Sequence, residues 1–165
     1  MKNFGLHRVL EPAGSLPVTA WKLDNSPELH DGEIKIGLHS LVFERENFYQ
    51  LCSICEYDDD AIRERICKII SERGKLHNPY TGSSALFVGT IEEAAEGFDL
   101  GGLKIGDRVV GLTPLAGLPT YSSEIGAIDR YYSRTGCTGY VICFESVRLE
   151  KIDDPDSRAT VHLVR

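Results

Sequence analysis

The densest run of reactive side chains is Arg73-Gly74-Lys75-Leu76-His77-Asn78-Pro79-Tyr80-Thr81-Gly82-Ser83. It brings a guanidinium, an ammonium, an imidazole, an amide and three hydroxyls close together along the chain. His77 carries the side chain type that titrates nearest neutrality, so it is a candidate proton carrier. Ordered polar loops on rigid scaffolds are frequent binding sites, although composition alone also fits a solvated connector. Cys52 and Cys55 form a single C-x-x-C. Zinc sites usually draw four ligands from two such pairs, and Cys67, Cys137 and Cys143 supply no second close pair. A redox dithiol would want a thioredoxin-like βαβ context, which is absent here. Plain thiols are the expected reading, with metal and redox roles as alternatives. No two of His7, His30, His39, His77 and His162 stand at ligand spacing.

Other chemistry lacks its motif. The nearest approach to a dinucleotide loop is Gly101-Gly102-Leu103-Lys104-Ile105-Gly106. Its spacing is wrong and a strand follows it, so it reads as a hairpin connection. A phosphate loop of the Walker type is missing too.

The positioning elements follow from periodicity. In residues 33–42, Ile34, Ile36 and Leu38 alternate with Glu33, Lys35 and Gly37, which predicts a half-buried strand. Over residues 58–73, Ile62, Ile66, Ile69 and Ile70 make one stripe of an amphipathic helix. Asp58, Asp59 and Asp60 suit its N-terminus, Gly74 its C-terminal stop, and Glu64 with Lys68 an i,i+4 pair. Further strands are expected at 86–92, 108–112, 139–145 and 147–152, with shorter runs at 6–10 and 19–23. Residues 122–132 read as a short helix from the spacing of Ile125, Ile128 and Asp129. Residues 160–164 are β-prone. The fold class is a β-rich α+β domain, or a partly open β-barrel, with one strong helix at 58–73.

With 165 residues, the chain is long enough to bury a core without disulfides or metal. No apolar run approaches the ~18–20 residues that span a bilayer. The start has no apolar h-region, and five odd cysteines fit reduced thiols, so a cytoplasmic protein without membrane attachment is expected. Eighteen lysines and arginines against 25 aspartates and glutamates give a net charge of −7. That disfavours a broad basic face for nucleic acid and suits a cationic ligand.

Three stretches together resemble one family: His7-Arg8-Val9-Leu10-Glu11-Pro12-Ala13-Gly14-Ser15-Leu16-Pro17, the run 73–83, and Gly139-Tyr140-Val141-Ile142-Cys143-Phe144-Glu145. The pattern is similar to the L-erythro-3,5-diaminohexanoate dehydrogenases of anaerobic lysine fermentation, over about residues 7–153. Val88-Gly89-Thr90-Ile91 and Lys104-Ile105-Gly106-Asp107-Arg108-Val109 are similar to the wider medium-chain dehydrogenase/reductase superfamily.

The resemblance implies a GroES-like N-terminal domain over residues 1–153, followed by a tail or truncated interdomain linker at 154–165. It implies an oxidoreductase in which NAD or NADP oxidatively deaminates a diamino acid to 5-amino-3-oxohexanoate. Family members continue into a Rossmann domain, which is expected to be absent here, so this chain alone is expected to bind neither cofactor and to be inactive. Zinc-dependent superfamily members carry Gly-His-Glu where this chain has Gly82-Ser83-Ser84, and a cysteine near the position of Glu44; no zinc is expected.

In the superfamily the loop after the strand at 33–42 faces the nicotinamide, and here it holds Glu44, Arg45, Glu46 and Asn47. Glu44 and His77 become the candidate catalytic residues. Arg45, Glu46, Asn47, Asn78, Thr81 and Ser83 become the candidate substrate-binding set. Glu44 and Glu46 are suited to a substrate ammonium, with a solvated surface charge as the alternative for each. Expected partners are a missing or separate Rossmann domain, a cationic diamino-acid substrate and a second copy of the chain. A non-catalytic GroES-like oligomerisation or ligand-binding module is the competing reading.

Overall fold

The computed structural model describes residues 4–78 and 84–153. The elements run β1 (Val9–Glu11), β2 (Lys22–Leu23), β3 (Glu33–Phe43), α1 (Arg45–Ile54), α2 (Asp59–Arg73), β4 (Ala85–Ala94), β5 (Arg108–Gly111), β6 (Thr120–Asp129), β7 (Arg134–Phe144) and β8 (Leu149–Lys151). Six strands make one antiparallel sheet in the order β6-β7-β3-β4-β5-β8, and β1 pairs with β2 apart from it. The large sheet is open, with β6 and β8 as its edges. This is the β-rich α+β architecture expected, with a further helix at Arg45–Ile54 beside the strong one expected over 58–73. Among the described residues no helix is long and apolar enough to cross a membrane. The β-prone run at 160–164 lies outside the described residues.

β3 is the centre of the sheet, hydrogen-bonded to β4 on one side and β7 on the other. The alternation predicts a strand with one wet face, yet nearly every residue of β3 is buried. Two features explain the difference. A bulge shifts the register against both neighbours around His39. Before it Ile34, Ile36 and Leu38 join the main core; beyond it Leu41 and Phe43 do. Val42 instead joins a second cluster with Val88, Val110 and Ile152.

α2 forms where its stripe predicts. Ile62, Ile66 and Ile70 are buried in the main core, each worth roughly 1.5–3 kcal/mol of transfer free energy. The Asp58 side chain accepts from the Ala61 N–H at 2.9 Å and closes the N-terminus. Gly74, at φ 66°, closes the other end through its N–H to the Ile70 carbonyl. A side chain there would run into the Leu23 carbonyl. The Glu64–Lys68 pairing gives way to a loose one, since Lys68 Nζ lies 4.0 Å from Glu72.

Residues 120–129 are strand β6, which corrects the helix expected over 122–132. A register shift lies between Ile125 and Ile128, which face Cys137 and Thr135 on β7. The bulge lets both isoleucines meet the main core three residues apart, a spacing that imitates a helical turn. Residues 45–54 form α1, so Arg45, Glu46 and Asn47 stand on a helix and not in the loop that the resemblance implies. Phe48, Leu51 and Cys52 are buried at i, i+3 and i+4 and supply its inner stripe.

The N-terminal segment is locked on by a buried ion pair. Arg8 and Glu33 are both fully buried, and Arg8 Nη2 donates to Glu33 Oε2 at 2.7 Å. Arg8 also donates to the carbonyls of Asp24, Ser26 and Glu28, while the His30 N–H and His7 Nε2 meet the carboxylate. Burial by itself would raise the Glu33 pKa. The bonds from Arg8, His30 and His7 outweigh it and hold the carboxyl below its usual value.

Candidate functional site

A cleft of about 520 Å³ opens where β3 hands over to α1 and where the chain enters β4. Val42, Leu86, Pro114 and Ala116 make its apolar wall, and Glu44, Asn47, His77 and Ser84 make the polar one. Thus Glu44, Asn47 and His77 come together although His77 is 33 and 30 residues from the other two.

Glu44 is the N-cap residue of α1. Its carbonyl accepts from Phe48 N–H at 2.9 Å, the first helical bond. The side chain stays outside the helix and accepts from Asn47 Nδ2 at 2.9 Å. A carboxylate at a helix N-terminus also meets the favourable end of the helix dipole. Arg45 and Glu46, on the same first turn, are exposed and do not line the cleft. Arg45 instead lies 5.8 Å from the centre of the Tyr49 ring.

His77 reaches the cleft because of what precedes it. Gly74 turns the chain out of α2, Lys75 and Leu76 dive inward, and His77 emerges. Arg73 Nη1 lies 3.2 Å from His77 Nδ1 and also donates to the His77 carbonyl. Arginine is a donor only, so Nδ1 must accept, and the neutral imidazole carries its hydrogen on Nε2. Burial lowers the His77 pKa, and the charges of Arg73 and Lys75 lower it further. His77 is therefore a neutral Nε2–H donor at pH 7, with its basic nitrogen already occupied.

Two buried cations stand behind it. Lys75 is fully buried, with Nζ donating to the carbonyls of Pro17 at 2.8 Å and Val18 at 3.2 Å. Burial, with Arg73 nearby, lowers its pKa to about 8. Arg73 stacks 4.3 Å above the Trp21 ring and donates to the carbonyls of Trp21 and Ala20. One segment, residues 17–21, thus wraps both cations in backbone dipoles. Sequence reading gave Arg73 and Lys75 no role, because their acceptors lie more than fifty residues away.

Asn78 is buried and faces the far side of this layer, not the cleft. Thr81 and Ser83 lie outside the described residues. All five cysteines are thiols. Cys52 is buried on α1, Cys55 caps that helix, and burial raises the pKa of both. Among the described residues no three His, Cys, Asp or Glu side chains gather as a metal site would require.

Comparison with known proteins covers nearly all of the described chain. The profile of the L-erythro-3,5-diaminohexanoate dehydrogenase N-terminal domain matches residues 7–153. Two relatives, from Acetoanaerobium sticklandii and Fusobacterium nucleatum, are both named L-erythro-3,5-diaminohexanoate dehydrogenase. Each is 38% identical over 147 residues, which is 87% of this chain and 42% of the relative. The chain therefore spans less than half the length of the curated relatives it matches. Since the match runs from His7 through the Arg73–His77 layer to the last strand, the chain belongs to the L-erythro-3,5-diaminohexanoate dehydrogenase N-terminal domain family.

Proposed function

We propose that this chain is the substrate-side domain of an NAD(P)-dependent dehydrogenase that oxidatively deaminates L-erythro-3,5-diaminohexanoate to 5-amino-3-oxohexanoate. Beside the family match, the observation that carries this reading is the convergence of Glu44, Asn47 and His77 on one cleft. In the net reaction a C–H and an amine are replaced by a carbonyl, ammonium leaves, water supplies the oxygen, and a hydride passes to NAD(P)+.

The cleft's wall of Val42, Leu86, Pro114 and Ala116 fits the flat face of a nicotinamide ring. Among the described residues no glycine-rich strand-to-helix turn offers a pyrophosphate cradle. The nicotinamide end is thus the part of the cofactor that these residues fit, and when bound it supplies the hydride acceptor.

The chain's own residues do the rest. Glu44 pairs with the substrate ammonium and takes its proton as the amine becomes a neutral donor of electron density. Asn47 fixes the carboxylate by its hydrogen bond. His77 holds its Nε2–H toward substrate oxygen, and the apolar wall keeps bulk water from the reacting carbon. An acidic protein attracts a substrate whose two ammonium groups outweigh its one carboxylate.

The test is an NMR titration of the chain with L-erythro-3,5-diaminohexanoate. Saturable shifts at the cleft are expected, and Glu44→Gln should weaken binding about tenfold, or ~1.4 kcal/mol. Equal binding by the variant, or no shift at the cleft, overturns the reading.

A further inference from the structure

On the opposite side of the Arg73–His77 layer lies a second cavity of about 250 Å³. It runs along the outer flank of α2. Trp21 forms one wall, and Arg65, Lys68, Glu72 and Arg73 supply the charged groups. Three cations against one carboxylate leave the groove positive in a chain of net charge −7.

Arg65 adds an independent observation. Its Nε is shut off from solvent and has no hydrogen-bond partner. A buried donor left unmade costs about 1–3 kcal/mol, a cost that a turn of this part-exposed side chain toward an acceptor in the groove would relieve. Lys68 is free to swing, because its contact with Glu72 is at the outer limit of an ion pair and both side chains are well exposed. Trp21 is nearly half exposed, with the Arg73 guanidinium on one face. A flat ring can therefore pack against it while an acid group reaches the cations.

We propose that this groove binds a small aromatic anion, its carboxylate or phosphate held by Arg65 and Lys68 and its ring against Trp21. The site is separate from the cleft and shares with it only the Arg73 side chain, whose guanidinium meets His77 on one side and Trp21 on the other.

Trp21 is the sole tryptophan of the chain, so its fluorescence reports the groove directly. Phenyl phosphate and benzoate are titrated in parallel, and the tighter of the two names the acid group. A saturable change with a Kd at or below the millimolar range is expected for at least one. Arg65→Met should weaken it about tenfold, the loss of one charge-assisted pair. Glu72→Gln should tighten it several-fold, since it removes a like charge, an outcome that damage to the fold would not imitate. Inorganic phosphate should bind at least tenfold more weakly than phenyl phosphate, by the missing ring. The proposal is overturned if neither probe saturates, if both variants bind as the parent does, or if inorganic phosphate binds equally well.

Discussion

His77 shows how a residue's neighbours choose its chemistry. Its type and its polar run mark it in the sequence as a proton carrier. In the folded chain Arg73 occupies Nδ1, and with burial it makes the ring a neutral donor. Arg73→Met should free Nδ1 and remove one of the two nearby charges. The imidazole titration followed by NMR should then move up toward the ordinary histidine value. An unmoved midpoint would mean that Arg73 does not set this group. Glu44 was legible only through family resemblance, because a carboxylate after a strand is usually a surface charge. The burial of Lys75 was not legible at all: its acceptors Pro17 and Val18 are brought to it by tertiary packing.

At the scale of elements, α2 was readable because its stripe, its N-cap and its stop agree. Asp58→Ala should cost about 1 kcal/mol of stability in urea denaturation. Gly74→Ala should cost more, because it combines a left-handed φ with a clash at the Leu23 carbonyl. A smaller loss at Gly74 than at Asp58 would contradict this account. Strand β6 was misread for a definite reason. A bulge places Ile125 and Ile128 on one face three residues apart, and periodicity alone cannot separate that from a helix. α1 was hidden for another reason. Phe48, Leu51 and Cys52 make a helical stripe too short to stand out from a loop in the sequence.

For the whole molecule, pH dependence follows from groups held away from their usual pKa. The Glu33 carboxyl is lower in the folded chain than in the unfolded one. Its contribution is present above the unfolded pKa and is lost as pH falls through the folded value. Acid unfolding should therefore be less steep in Glu33→Gln, which itself should cost about 3–5 kcal/mol at neutral pH by stranding Arg8. On the alkaline side, burial raises the thiols of Cys143 and Cys137, the latter to about 11. The stability they confer is present below the unfolded thiol pKa and lost as pH rises. Lys75 opposes this. Its lowered pKa means that the unfolded chain binds more protons above pH 8, so its contribution improves with pH. Lys75→Met should make the alkaline loss steeper, as measured by thermal midpoints between about pH 8 and 10. A shallower loss would reverse the assignment.

The bulge at His39 has a consequence for how this chain can tolerate change in length. It is the point at which β3 trades one set of inward residues for another. Carrying strict alternation through it would present Ser40 and Val42 to the core while turning Leu41 and Phe43 outward, and a residue gained or lost elsewhere in the strand would do the same to one of the two sets. The frame of every contact from there to Glu44 would slip by one. Length variation among functional relatives should thus be excluded from residues 33–43 and accommodated in the turns around Gly97, Gly101 and Gly102, where added atoms meet open space.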